Sequence, residues 1–174
     1  MTTQPLIEFK IPNKTKKGWE NSPIKSFLNQ SGQFKNRVGT KIVAELLKQQ
    51  EVDYSITKSG FISFDGKNLS EIRTSFASVH KNKKTFWFNQ IRPKINNWTH
   101  MHLVCVHPEK IEVYQYLKEE CISLCEDASG LDHIGQEGEL LAINVTTEND
   151  YWKLDCYGKF LGEISTSQIK IINE

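Results

Sequence analysis

Apolar positions recur at helical spacing in only one long stretch. Over residues 38–50, Val38-Gly-Thr-Lys-Ile-Val-Ala-Glu-Leu-Leu-Lys-Gln-Gln, the residues Ile42, Val43, Leu46 and Leu47 fall on one side, while Lys41, Glu45, Lys48 and Gln49 fall on others. That period predicts an amphipathic helix. The pattern then shifts to alternation. Residues 52–57, 61–64 and 69–76 predict three strands, joined by Lys58-Ser-Gly and by Asp65-Gly-Lys-Asn, the latter a strong hairpin signal. Residues 86–94 begin as strand or loop and are expected to pass into helix up to Pro93. Residues 102–107 predict a buried strand, 110–117 its alternating hairpin partner, and 118–129 a second helix.

The two ends are less regular. Residues 1–22 carry Pro5 and Pro12 around Lys14, Lys16 and Lys17, and read as an extended basic arm with one short strand at Leu6–Ile11. Ser22 as cap and Pro23 in the first turn predict a short helix over 23–30, with Ser31–Gln33 as a break. Residues 131–174 are acidic and β-rich, with Tyr151, Trp152 and Tyr157 on short alternating strands. The order is helix, β-meander, helix, strands, helix and a small β-rich C-terminal extension, which implies an α/β chain whose mixed β-sheet is flanked by helices.

Length and composition fit that picture. A chain of 174 residues and 20.1 kDa, 38% hydrophobic and 25% charged, is expected to be one domain with a real core. No apolar run is long enough for a membrane span, and Met1–Lys14 lacks the apolar stretch of a secretory signal. Four cysteines (Cys105, Cys121, Cys125 and Cys156) at this length do not resemble a disulfide framework, so a cytoplasmic protein with free thiols is expected. There is no glycine-rich phosphate loop, and hence no motif for an organic cofactor.

Charge changes the picture more. The net charge of +1 conceals 17 Lys and Arg against 7 Asp and Glu in residues 1–99, and 5 against 14 in residues 100–174. A basic half attracts phosphates, which favours nucleic acid as a partner. Its other reading is electrostatic pairing with the acidic half. Lys81, Lys83 and Lys84, just before Phe86-Trp-Phe, with Arg92 and Lys94 after it, are the candidate DNA contacts. The alternation of Phe86 and Phe88 assigns those rings to the core.

Candidate chemistry gathers between Phe61 and Phe76. Asp65 lies in a turn, Glu71 follows six residues on, and Arg73 shares its side of the strand. Two carboxylates and a backbone carbonyl can hold a divalent metal, which activates water and stabilises the charge on a phosphate under attack. The same residues also fit an exposed turn Asp and a surface Glu–Arg ion pair. Histidines 100, 102, 107 and 133 with the cysteines invite a zinc reading, but no tight paired knuckle occurs, and buried thiols account for the pattern better.

A resemblance adds weight to the metal reading. Gly66-Lys-Asn-Leu-Ser-Glu-Ile-Arg-Thr-Ser, then Phe86-Trp-Phe-Asn-Gln-Ile-Arg-Pro, then His102–Glu120 resembles the core of the PD-(D/E)XK nuclease superfamily, with the restriction-endonuclease-like fold, over residues 38–118. The resemblance implies a DNA-binding endonuclease that hydrolyses phosphodiesters with Mg²⁺ or Mn²⁺, in a restriction, defence or mobile-element setting. It implies double-stranded DNA as partner and a homodimer if both strands are cut. Glu71 would be the strand carboxylate, Arg73 would stand at the family's Lys, and Gln90 would position water or phosphate. Asp65 or Asp53 would supply the Asp, and Glu45 an additional acid. Family spacing places that Asp nine or ten residues before Glu71, where this chain has Phe61 and Ile62. A degenerate nuclease fold that binds DNA or serves as a regulatory subunit, and a protein–protein adaptor, are the alternatives.

Overall fold

The computed structural model describes residues 7–11, 32–80, 83–93, 96–126, 141–146 and 158–173. The short helix expected over 23–30 lies outside them, as do most of the 1–22 arm and the strand expected over 151–158 apart from Gly158. Eleven strands and two helices run through the described residues, a mixed α/β architecture.

The centre is a six-stranded mixed sheet. Its strands are β2 (Tyr54–Ile56), β3 (Ile62–Phe64), β4 (Asn68–Phe76), β7 (His100–Val106), β8 (Lys110–Leu117) and β10 (Lys159–Ser165), in the spatial order β10-β8-β7-β4-β3-β2. The meander β2-β3-β4 is antiparallel, with Tyr54 opposite Phe64 and Ile62 opposite Ser70. β4 and β7 are parallel, Glu71 opposite Met101 and Arg73 opposite Leu103. β7 turns back into β8 as expected, and β10 closes the edge. All seven residues of β7 are buried, the signature of a strand covered on both faces.

Two smaller sheets complete the fold. β5 (Ser78–His80), β6 (Lys83–Ile91) and β9 (Leu141–Thr146) form one, and β1 (Ile7–Ile11) pairs in parallel with β11 (Ile169–Asn173) in the other. The segment expected to become helical before Pro93 is instead strand to Ile91. Its alternation buries Phe86 and Phe88, and pairing with β5 and β9 overrides the weak helical signal. Lys83 and Lys84 therefore open a strand rather than sit in a loop; Lys81 lies outside the described residues.

Helix α1 (Gly32–Gln49) starts six residues before the stretch expected to be helical, and takes in two of the three residues expected to break it. Val38, Ile42, Val43, Leu46 and Leu47 are its buried stripe. Phe34 stands four residues before Val38, so the apolar period reaches back into the first turns at helical spacing. α2 (Lys118–Glu126) follows β8 directly.

The contact between α1 and β4 is unusually close. A Cβ at Gly39 would stand 1.9 Å from Thr74 Oγ1 and 3.2 Å from Ile72 Cγ2. The backbone of α1 rests against the side chains of β4, an approach open only to glycine. Asn36 Oδ1 accepts the Thr74 N–H at 2.9 Å, and Thr40 Oγ1 lies 2.9 Å from Asn36 O and 3.1 Å from Gly60 O. One helical segment thus ties itself to β4 and to the β2–β3 turn. Helix propensity alone predicts that Gly39→Ala stabilises the chain by about 1 kcal/mol. The close contact predicts the opposite sign, a loss of about 1–3 kcal/mol in urea unfolding, with part of it recovered when Thr74→Ala removes the obstructing hydroxyl.

A buried polar chain crosses the same face. His102 is fully buried, donates from Nε2 to Gln115 Oε1 at 3.2 Å and accepts at Nδ1 from the Ser70 hydroxyl. Burial lowers its pKa from 6.5 to about 4, against a smaller opposing effect of Gln115. Between those values the unfolded chain takes up a proton that the folded chain refuses. Stability is therefore full above pH 6.5 and falls toward pH 4, by on the order of 3 kcal/mol for this residue. Thermal midpoints measured across that window should decline for the wild type, and His102→Gln should flatten the decline.

Candidate functional site

The β3–β4 hairpin carries the first candidates. Its turn places Asp65 at φ 52° and Gly66 at φ 72°, the left-handed pair that an Asp-Gly hairpin signal predicts. That turn fixes where Asp65 goes: to the exposed tip. Strand β4 starts at Asn68, so Glu71 lies about 10 Å further along the sheet by strand rise. Asp53 lies at the same end as Asp65, its carbonyl accepting the Asp65 N–H at 3.1 Å. The register brings the two candidate aspartates to each other and brings neither to Glu71. One step past the Ile62–Ser70 pair, the residue level with Glu71 is Phe61. Glu45 lies on α1 two turns beyond Arg37, about 12 Å along the axis.

Glu71 instead belongs to the lining of a cleft of about 480 Å³. β3 pairs only with the first three residues of β4, so β4 runs on with one edge open. Asn36 closes part of that edge at Thr74. By strand alternation the Ile72 peptide turns the same way as that of Thr74, toward the cleft. The walls come from three segments: Asn36, Arg37 and Thr40 on α1; Lys58 to Phe61 in the β2–β3 turn; and Glu71 to Arg73 on β4. Among these lining residues, three are cations (Arg37, Lys58 and Arg73) and one is an acid.

That acid is paired within its own strand. Arg73 Nη2 lies 3.0 Å from Glu71 Oε1. The Glu71 side chain is 11% exposed and that of Arg73 26%, so the pair is largely withdrawn from solvent. Glu71 Oε2 is buried and receives no hydrogen bond from the described residues. A buried carboxylate oxygen without a donor is a costly feature, and such features concentrate where function requires them.

The remaining candidates lie elsewhere. Gln90 is on β6, in the three-stranded sheet; Arg92 follows that strand and is exposed; Lys94 lies outside the described residues. Cys105 and Cys121 are buried free thiols on β7 and α2, and burial pushes the Cys105 thiol up. Among the described residues, no three His, Cys, Asp or Glu side chains stand together as metal ligands.

The charge imbalance read along the chain becomes an imbalance across the sheet. Glu109, Glu112, Glu119, Glu120 and Glu163 lie on or beside β8, α2 and β10, at the far edge from β2 and β3. Glu112 is engaged there by His107 Nε2 at 3.0 Å and Lys110 Nζ at 2.9 Å, which hold its carboxyl down at about 2. Arg37 and Lys58 are the site residues that sequence spacing did not reveal. Arg37 reaches this cleft through the tight seat of α1, and Lys58 through the turn that joins β2 to β3 in the meander. Gly39 inside a helical pattern was the available clue, since a glycine there marks close packing. No family model, curated protein or solved structure matches the chain, and among the described residues no helix is long and apolar enough to cross a membrane.

Proposed function

We propose that the protein binds double-stranded DNA, with the cleft beside Glu71 and Arg73 seating a phosphodiester, on a sheet of restriction-endonuclease-like arrangement. The observation that carries this reading is the cleft itself: among the described residues that line it are three cationic residues from three separate segments, Arg37, Lys58 and Arg73, the last ion-paired to Glu71. Phosphate contacts of that kind release counterions and supply affinity independent of sequence. The order α1, antiparallel β2-β3-β4, then β7 parallel to β4, with Glu71-Ile-Arg73 on the third strand of the meander, is compatible with the nuclease-like fold. Such a protein belongs in the cytoplasm, in a restriction, defence or mobile-element setting, and a two-fold duplex would suit a homodimer.

A second reading makes the protein an endonuclease, hydrolysing the phosphodiester with Mg²⁺ or Mn²⁺ at Glu71. The unbonded Glu71 Oε2 favours it. The positions of Asp65 and Asp53 favour binding without cleavage.

Fluorescence anisotropy on a labelled duplex at several salt concentrations tests the first reading. Binding should weaken steeply with salt, and Lys58→Glu should cost about tenfold in affinity and lower the slope of log K against log salt by about 1 or more. Binding without salt dependence, or indifferent to Lys58→Glu, would count against the cleft. Supercoiled plasmid incubated with Mg²⁺, Mn²⁺ or EDTA tests the second: metal-dependent cutting that vanishes in Glu71→Ala would establish hydrolysis.

A further inference from the structure

We infer that the outer edge of β2 is a self-association surface, where a second copy of this chain adds its own β2 in antiparallel register about a two-fold axis at Ser55. The inference stands independently of the DNA reading above.

The two edges of the central sheet are built differently. At the β10 edge, the pairing with β8 carries a register shift between Phe160 and Gly162, and Lys159 and Glu163 are exposed. A bulge and edge charges are common means of keeping another strand away. β2 has neither. Its residues Tyr54, Ser55 and Ile56 are uncharged, include no proline and pair with β3 without a shift. All three are exposed, Tyr54 by 38% and Ile56 by 50%. Among the described residues no strand lies beyond them.

The backbone is the second ground. The Thr57 N–H donates to Phe61 O at 2.8 Å, and Asp53 O accepts from the Asp65 N–H at 3.1 Å, so the odd-numbered positions turn inward to β3. By alternation the N–H and C=O of Tyr54 and of Ile56 turn outward. A two-fold ladder needs that arrangement. With Ser55 on the axis, Tyr54 stands opposite Ile56 of the second copy and exchanges two hydrogen bonds with it. The symmetry-related pair exchanges two more. The strand is short, so the ladder is short too, and the dimer is a reversible one.

Side chains and charge are the third. Tyr54 pairs with Phe64 and Ile56 with Ile62, both buried, so the added strand continues the core-facing row of the sheet. Across the axis each tyrosine meets an isoleucine, an aromatic and β-branched pair that favours sheet formation. Glu51 and Asp53 precede the strand and Lys58 follows it, all three exposed. Antiparallel pairing sets the acidic end of each strand beside the basic end of the other, so the surface is complementary to itself.

Sedimentation velocity of the full chain over a concentration series, without DNA, tests this together with engineered crosslinking. Wild type should show a reversible monomer–dimer equilibrium. Ile56→Pro removes an outward N–H and leaves the inner ladder to β3 intact; it should weaken the dimer about tenfold or more. Asp53→Lys should weaken it as well, and adding Lys58→Asp should restore part of the loss. Phe160→Lys, at the β10 edge, should change nothing. Ser55→Cys sets two thiols at the closely spaced pair on the axis, about 4.5 Å between Cα atoms, within disulfide reach. Diamide should crosslink that variant into dimers beyond the wild-type background, and should not crosslink Ser59→Cys. Circular dichroism melts of each variant separate these effects from unfolding. A wild type that stays monomeric up to its solubility limit would overturn the inference. So would a dimer that withstands Ile56→Pro, one that Phe160→Lys dissolves, or crosslinking through Ser59→Cys and not through Ser55→Cys.

Discussion

The seat of α1 on β4 is the contact on which the rest of the site depends. Gly39 lets the helix backbone lie against Thr74 and Ile72, which brings Asn36 within reach of the open edge of β4 and Thr40 within reach of the β2–β3 turn. With a side chain at position 39 the helix would have to lift, and interiors packed at crystal density transmit such a displacement rather than absorb it. Arg37 would then leave the wall it shares with Lys58 and Arg73. The cleft is therefore a consequence of core packing more than of any local loop conformation.

Electrostatics divides the molecule along the same lines. The basic half of the chain supplies α1, the meander and, among the described residues, the charged ones that line the cleft, whereas the described part of the acidic half supplies β8, α2 and β10 at the other edge of the central sheet. Among the described residues of the basic half, Glu71 is the buried acid, held by Arg73. A buried carboxylate oxygen without a donor detracts from stability, whereas the Arg73 guanidinium at Oε1 offsets part of the cost of burying the charge.

Some of this was legible in the order of residues. Asp65-Gly66 announced the tight turn between β3 and β4, the alternation of residues 110–117 announced β8, and the stripe from Val38 to Leu47 announced the buried face of α1. Other features left no local signal. β6 takes its conformation partly from β9, remote in sequence, and the parallel pairing of β4 with β7 joins residues thirty positions apart. The site was legible in its centre and not in its walls. Glu71 and Arg73 follow from two-residue alternation along one strand, but Arg37 joins the cleft lining through the tertiary seat of the helix and Lys58 through the β2–β3 turn. Asp65 shows the converse: a carboxylate near Glu71 in sequence is carried to the hairpin tip by the very turn that its own residue type promotes.

The claim that a phosphodiester lies in this cleft is tested most directly by backbone amide spectra of the isotope-labelled protein titrated with a short duplex in EDTA. The account predicts shifts concentrated at Arg37, at Lys58 to Phe61 and at Ile72 to Arg73, with β8, α2 and β10 unmoved. Shifts confined to those acidic elements, or to the β5–β6 hairpin, would contradict it.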